Sequence, residues 1–228
     1  EDKPLSYYFQ AERKGKVGAE YAMHINGLRE TLAESKRAYD GTISWVDEQV
    51  GRLYDYLEQS DRLEETLFIV TADHGHHFGE QDIFSDNCTL YDTSVRIPLV
   101  IHHPGKASGR VEKTVQHTDL RPTIHDFHDI AQPMDTRGNV LPEESHEYGF
   151  AEAEGERMRA IRTLDWKLIK PLDTEYLTSQ YWYNHEGEPE LYDLKQDPEE
   201  TENVADEHPD RTAQMMSLLE SEMQEQRE

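Results

Sequence analysis

An aspartate and a histidine stand side by side in this sequence at the point where an apolar run ends. The run is Phe68 to Thr71, and Asp73, His74 and Gly75 follow it. Carboxylate and imidazole groups bind divalent cations, and ligands of open α/β sheets bind beyond the carboxyl ends of the strands. Gly75 is predicted to let the backbone turn sharply. The alternative is that Asp73 caps the next segment and His74 packs against it.

The flanking sequence predicts the elements that would position this pair. From about Ser35 to Gln59, apolar residues recur at steps of three and four, which predicts a helix with one apolar face. The residues of that face are Ile43, Val46, Val50, Leu53 and Leu57. Leu67–Ala72 and Pro98–His102 are typical of short buried strands in parallel sheets. Thr118 or Asp119 is predicted to cap a short helix that continues to about residue 130. The order predicts an α/β layer fold.

The C-terminal part has a different pattern. Short strand candidates separated by turns predict a small four-stranded antiparallel sheet; they are Tyr148–Ala153, Met158–Thr163, Trp166–Lys170 and Glu190–Leu194. A terminal helix is predicted from about Pro209, with Leu218, Leu219 and Met223 on one side. We therefore divide the chain into a lead-in (1–34), part of a catalytic α/β domain (35–131) and a small α+β subdomain (132–228).

Charge and composition exclude some functions. The 228 residues carry a formal net charge of -25, which opposes binding to nucleic acid. So much negative charge indicates a halophilic origin, because molar salt screens the self-repulsion; this interpretation requires stability and activity to rise in molar KCl or NaCl. No apolar stretch is long enough to span a membrane. Cys88 is the only cysteine, so an internal disulfide is impossible. The compartment stays open, with the cytoplasm favoured.

Several motifs, taken in order, carry a family resemblance. They lie between Tyr39 and about residue 208, and the stretch Tyr39–Gly105 resembles the sulfatases of the alkaline-phosphatase superfamily. The matching segments are Val46–Leu53, Thr66–Gly75, Gly79–Glu80, Leu90–Asp92, Val95–Ile101, Thr118–Thr123 (the family's D-x-x-P-T helix start), Glu190–Leu194 and Asp197–Asn203.

The resemblance implies a fold and a mechanism. The fold would be part of a sulfatase-like central mixed sheet flanked by helices, followed by the small antiparallel sheet and the terminal helix. The activity would be hydrolysis of a sulfuric ester, with Asp73 and His74 matching the second of two pairs of metal ligands. Ca²⁺ is the metal that the family implies, and the imidazole of His74, where many sulfatases have Asn, leaves Mn²⁺ or Zn²⁺ as alternatives.

Three features depart from the family pattern. No Cys or Ser begins the C/S-x-P-x-R motif whose first residue becomes the nucleophile formylglycine. We therefore expect the chain to be the C-terminal portion of a longer enzyme, inactive alone, with formylglycine in the missing part. Asn87 stands where the family often has a sulfate-binding Lys, and it is our candidate for substrate binding. Gln81 stands where a His is frequent.

Other histidines are candidates for catalysis, because imidazole is a suitable proton donor at neutral pH. His76 and His77 follow the metal pair and would either line the site or face solvent. His117, just before the D-x-x-P-T helix, would lie at the same end of the sheet in family folds. For Lys167, a solvated strand face is favoured over a site role, and Asp92 and Arg96 are expected to form structural ion pairs.

The sequence thus predicts a metal-dependent sulfatase-like hydrolase that acts on a small sulfated ester. Two alternatives stay open. The first is a phosphonate or phosphodiester hydrolase, or a phosphoglycerol-type transferase, on the same fold; His74 and the absence of Lys at position 87 favour it. The second is a non-catalytic fragment or a degenerate anion-binding module. The oligomeric state is left open.

Overall fold

A computed structural model describes residues 32–83, 89–134, 136–153, 155–179 and 187–225. Within these residues the α-helices are α1 Leu32–Gln59, α2 Asp92–Val95, α3 Leu120–Phe127, α4 Thr174–Ser179 and α5 Pro209–Glu225. The strands are β1 Phe68–Thr71, β2 Leu99–His102, β3 Gly149–Ala153, β4 Met158–Arg162, β5 Trp166–Pro171 and β6 Glu190–Asp193. No described helix combines the length and the apolar character that crossing a bilayer requires.

The predicted helix of the N-terminal part is confirmed as α1, which starts at Leu32 and ends at Gln59. Its apolar face is only partly covered by other described residues: Ile43 and Leu53 are 53% and 52% exposed. Contact with the first sheet comes from Tyr54, whose ring packs edge-on against Phe68 at 5.7 Å.

The first sheet differs from the prediction. β1 and β2 are paired antiparallel, with Phe68 opposite His102 and Thr71 opposite Leu99, whereas their apolar runs predicted strands of the parallel type. A parallel pair needs a long crossover, usually a helix, and the described part of the connection contains only the short α2 and a single 3₁₀ turn. Val100 is 63% exposed, so β2 is also less buried than its composition predicted.

The second sheet confirms the prediction for the C-terminal part. Its strand order is β3-β4-β5-β6, and every neighbouring pair is antiparallel. One face carries Ile161, Leu168 and Leu191, which form a core with Met215 and Leu219 of α5. The other face packs against the segment that leads into α2, where Leu90 and Tyr91 are buried. Both faces are therefore covered, and the second one joins this sheet to the first part of the chain.

A buried lysine crosses that junction. Strand alternation places Lys167 on the face of β5 that packs toward α2, and its side chain is fully buried. Its Nζ lies 2.9 Å from Asp92 Oδ1 and 2.7 Å from Glu200 Oε1. Arg162 Nη2 donates to Asp92 Oδ2 at 2.9 Å. The prediction of a solvated Lys167 is wrong, because a face that looked exposed in an isolated hairpin is covered by α2 and the Glu200 loop.

The two carboxylates around Lys167 respond differently to burial. Burial alone would raise the pKa of Asp92, but hydrogen bonds and charges from Arg162 and Lys167 outweigh it and lower the pKa to about 2. Burial raises the pKa of Glu200, and the charge of Lys167 does not fully offset it. Asp92 therefore stabilises the fold above its unfolded pKa of 3.8, and this contribution is lost as the pH falls toward about 2.

Replacing Lys167 with methionine should destabilise the protein by about 3–5 kcal/mol, because it leaves the buried carboxylate of Glu200 without its cation and Asp92 with Arg162 alone. Lys170→Met is the matched control on the same strand: its partner Glu220 is 3.3 Å away and largely exposed, so the loss should be about 0–1 kcal/mol. Urea unfolding of both variants in the full-length protein measures the difference. Equal losses would contradict a special role for Lys167.

Candidate active site

Asp73 and His74 occupy the loop that follows the carboxyl end of β1. The backbone N–H of His74 donates to Asp73 Oδ1 at 2.9 Å, and Asp73 Oδ2 lies 3.6 Å from His74 Nε2. Hydrogen bonds from the backbone N–H groups of His74 and Asp73, with the nearby His74 and His117, lower the pKa of Asp73. Its side chain is therefore a carboxylate at neutral pH, and it is 87% exposed.

The tautomer of His74 follows from its hydrogen bond. Nδ1 lies 2.9 Å from the carbonyl oxygen of Gly75, which cannot donate, so Nδ1 must carry the proton. In the neutral ring this leaves the lone pair on Nε2, the nitrogen nearer Asp73. A backbone carbonyl on one ring nitrogen is the usual arrangement that orients a histidine for a metal on the other.

His117 lies at the same end of β1. Its Nε2 donates to the carbonyl oxygen of Ala72 at 2.8 Å, so its ring is held next to Asp73. The structure thus brings together Asp73, His74 and His117, as the sequence predicted. Whether His117 acts as an acid or a base stays a prediction.

The helix start that holds His117 differs from the predicted one. A 3₁₀ turn, His117–Asp119, precedes α3 and has Gln116 as its N-cap. Asp119 takes the N-cap position of α3 itself, as predicted, but its side chain makes no capping hydrogen bond there. The fully buried carboxylate of Asp119 accepts from the Gln116 N–H at 2.7 Å and from His146 Nε2 at 2.6 Å. Asp119 thus anchors the turn from its third position. The helix α3 ends at Phe127, earlier than the predicted end near residue 130.

His76 and His77 point in different directions from the loop. His76 stacks on Tyr39 at 5.8 Å and meets Phe78 edge-on at 4.8 Å; its catalytic role stays a prediction. His77 is fully buried, with Nε2 2.8 Å from Thr89 Oγ1. It neither faces solvent nor lines the cleft, which sequence reasoning missed because histidine is compatible with both loops and cores.

Gly75 is required for close approach rather than for a turn. Its backbone φ is not in the left-handed region, unlike that of Gly79. Its N–H donates to Ser94 O at 2.7 Å, and an added Cβ would lie 1.9 Å from Thr93 O. The loop therefore lies directly against the backbone of α2, and the predicted sharp turn is replaced by this contact.

A cleft of about 1120 Å³ opens beside the metal pair. Asp73, His74 and His117 line it, together with basic side chains, which are Arg96, Arg110, Lys113, Arg162 and Lys167. Glu112 and Glu152 line it as well, and the excess of basic over acidic side chains favours an anionic ligand. Arg162 and Lys167 also hold Asp92, so the expected ion pairing of Asp92 is confirmed. Arg96 forms no ion pair with another described residue, so that part of the expectation is wrong for the part of the chain that the structure describes.

Asp73 and His74 are the two candidate donors for a metal among the described residues. No group of three or more His, Cys, Asp or Glu side chains that could hold an ion occurs among them. The carboxylate of Asp73 and Nε2 of His74 lie close enough to share one cation, so they fit as part of a ligand set. Asn87, the substrate-binding candidate, lies outside the described residues, as does Cys88.

Two family models match the chain. The model named sulfatase matches residues 5–130, and the model for the C-terminal part of N-sulphoglucosamine sulphohydrolase matches residues 79–228. A curated relative, the N-acetylglucosamine-6-O-sulfatase of Bacteroides thetaiotaomicron, is 33% identical over 81% of this chain and 35% of its own length. The chain thus spans about a third of that relative.

Solved structures show the same likeness. One, described as a complex with its substrate D-glucosamine-2-N,6-O-disulfate, has a TM-score of 0.67 and 28% identity, covering 96% of this chain and 44% of the other. A phosphonate monoester hydrolase of Agrobacterium radiobacter has a TM-score of 0.66 and 27% identity, covering 85% and 41%. The fold predicted from the sequence is confirmed.

Gly75→Ala should displace the loop of Asp73 and His74, because backbone atoms cannot yield to a Cβ at 1.9 Å. We expect a loss of about 1–3 kcal/mol in unfolding free energy. Gly51→Ala is the control: this helical glycine has no atom near an added Cβ, so stability should rise by about 0.5–1 kcal/mol. Urea unfolding of the full-length protein measures both. A Gly75→Ala variant as stable as wild type would contradict the contact.

Proposed function

Because this chain belongs to the sulfatase family, we propose that the protein hydrolyses a small sulfuric ester with the help of a divalent cation. One observation carries the proposal. Asp73 and His74 adjoin each other at the carboxyl end of β1, beside a cleft lined by His117 and basic side chains. A carboxylate and an imidazole would hold the cation, and the cleft would hold the anionic ester.

The cation would be held in part by Asp73 and Nε2 of His74, and it would neutralise negative charge on the ester. Ca²⁺ is our first choice, and Mn²⁺ or Zn²⁺ would also suit a ligand set that contains imidazole. The remaining ligands and the nucleophile, a formylglycine, would lie in a part of the protein outside this chain. This chain covers only 35% of the length of the N-acetylglucosamine-6-O-sulfatase and 44% of the structure with the bound disulfate, which supports a site shared with residues outside this chain.

The remaining roles belong to residues of this chain. Nε2 of His117 donates to Ala72 O, so the neutral ring would present Nδ1 as a proton acceptor. His117 would act in proton transfer at the ester, His76 is the second candidate, and Asn87 would hydrogen-bond the sulfuryl group. The relative that acts on an N-acetylglucosamine sulfate supports a sulfated amino sugar as the substrate class.

Asp73→Ala should lower the turnover of the full-length protein on 4-nitrophenyl sulfate and glucosamine 6-sulfate by at least about 100-fold. Ca²⁺ binding, measured by calorimetry, should weaken in parallel. Asp206→Ala, which removes an exposed carboxylate before α5, is the control and should leave both unchanged. Turnover and metal binding at wild-type levels in Asp73→Ala would contradict the metal role.

The second candidate is hydrolysis of a phosphonate or phosphodiester on the same fold. His74, Asn87 in place of the family Lys and the likeness to the Agrobacterium radiobacter enzyme favour it. The ratio of kcat/KM for 4-nitrophenyl sulfate and 4-nitrophenyl phenylphosphonate discriminates between the two. We expect the sulfate to be the better substrate, and the opposite ratio would make this candidate the function.

A further inference from the structure

Three buried polar side chains have no part in the chemistry proposed above. One belongs to the loop that carries Asp73 and His74 (residues 72–78, called the metal loop below), and two belong to the segment against which this loop packs. His77, Thr89 and Ser94 are 0%, 3% and 1% exposed. His77 Nε2 lies 2.8 Å from Thr89 Oγ1, and Thr89 Oγ1 lies 3.1 Å from Ser94 Oγ. Because the Thr89 hydroxyl can donate to one neighbour and accept from the other, the three groups form a continuous chain of hydrogen bonds.

The chain of hydrogen bonds meets the metal loop at both of its ends. At one end is the ring of His77, which belongs to the loop itself. At the other is Ser94, whose carbonyl oxygen accepts the N–H of Gly75 at 2.7 Å. The loop is thus held to the segment 89–95 at two points, one through a side chain and one through the backbone. Asp73 and His74 immediately precede Gly75, the residue held through its backbone.

The segment 89–95 is itself held rigidly. Asp92 is bound on its other side by Lys167 and Arg162 of the antiparallel sheet, and its backbone N–H donates to Glu200. Tyr91 donates from its hydroxyl to Glu190 at 2.7 Å. The metal loop is therefore coupled through one short segment to the core of the C-terminal sheet.

We propose that His77 is a positioning residue for the metal pair: through Thr89 and Ser94 it sets the path of the loop and with it the orientation of Asp73 and His74. The inference rests on the function proposed above. A positioning role of His77 depends on the hydrogen bond at Nε2, whereas a role in filling the core would depend only on the volume of the ring. A buried polar group specifies one geometry through its hydrogen bonds, whereas an apolar side chain of similar size does not.

His77→Leu and His77→Gln separate the two roles. Leucine fills space without the hydrogen bond, whereas the glutamine amide can reach Thr89 Oγ1. In the full-length protein we expect His77→Leu to weaken Ca²⁺ or Mn²⁺ binding and to lower kcat, each by about 10-fold, with little change in KM. His77→Gln should recover most of the loss.

Thr89→Val removes the same hydrogen bond with almost no change in side-chain volume. It also provides an independent test if His77→Leu fails to fold. Thr89→Val should reproduce the fall in metal affinity, whereas Thr89→Ser, which keeps the hydroxyl, should not. The double variant His77→Leu/Thr89→Val should lose no more metal affinity than either single variant. Wild-type metal affinity and kcat in Thr89→Val, or no recovery in His77→Gln, would overturn the proposal.

Asp73→Ala, measured in the same calorimetric series, separates this inference from the proposed function. If Asp73→Ala loses metal binding while Thr89→Val binds as wild type does, the positioning role is wrong and the metal pair stands. If Asp73→Ala binds metal normally, the metal pair is wrong and the positioning role falls with it.

Discussion

The fully buried ammonium of Lys167 is the constraint on which the arrangement of this protein depends. A buried charge is tolerated only with close partners, and the partners here come from α2 and from the loop before α5. Strand β5 must therefore meet both at one point, which fixes the antiparallel sheet against the segment 89–95. That segment carries the carbonyl of Ser94 that holds Gly75. The position of the metal pair thus depends on a lysine in a different sheet.

The same network shapes the cleft. Arg162 lines it and also binds Asp92, so its position is fixed before any ligand arrives. A rigid cation attracts an anion without the entropy loss of ordering a long side chain. Although the net charge of the chain is -25, more basic than acidic side chains line this cleft.

Elements with a strong local signal were predictable. Short strand candidates separated by a turn specified the hairpin of β4 and β5, and the spacing of Leu218, Leu219 and Met223 specified α5. The pairing of β1 with β2 was not predictable. An apolar run indicates a buried strand, but it does not indicate the partner strand or whether the pairing is parallel or antiparallel. Asp119 was correctly predicted at the N-cap position of α3, but the 3₁₀ turn before it was missed, and the Asp119 side chain accepts from the N–H of Gln116, the N-cap of that turn.

By itself, the sequence determined the order of α1, α3, α5 and the strands, the family resemblance, and the placement of Asp73 and His74 directly after a strand. These features depend on neighbours along the chain. The sequence did not reveal the short helices α2 and α4. The tertiary structure alone decided that Lys167 is buried, that Gly75 is needed for close approach to Thr93, and that the ring of His77 is buried against Thr89. Each of these depends on a contact with a segment distant in sequence, or on cover supplied by one, and no local pattern of residues encodes such a contact.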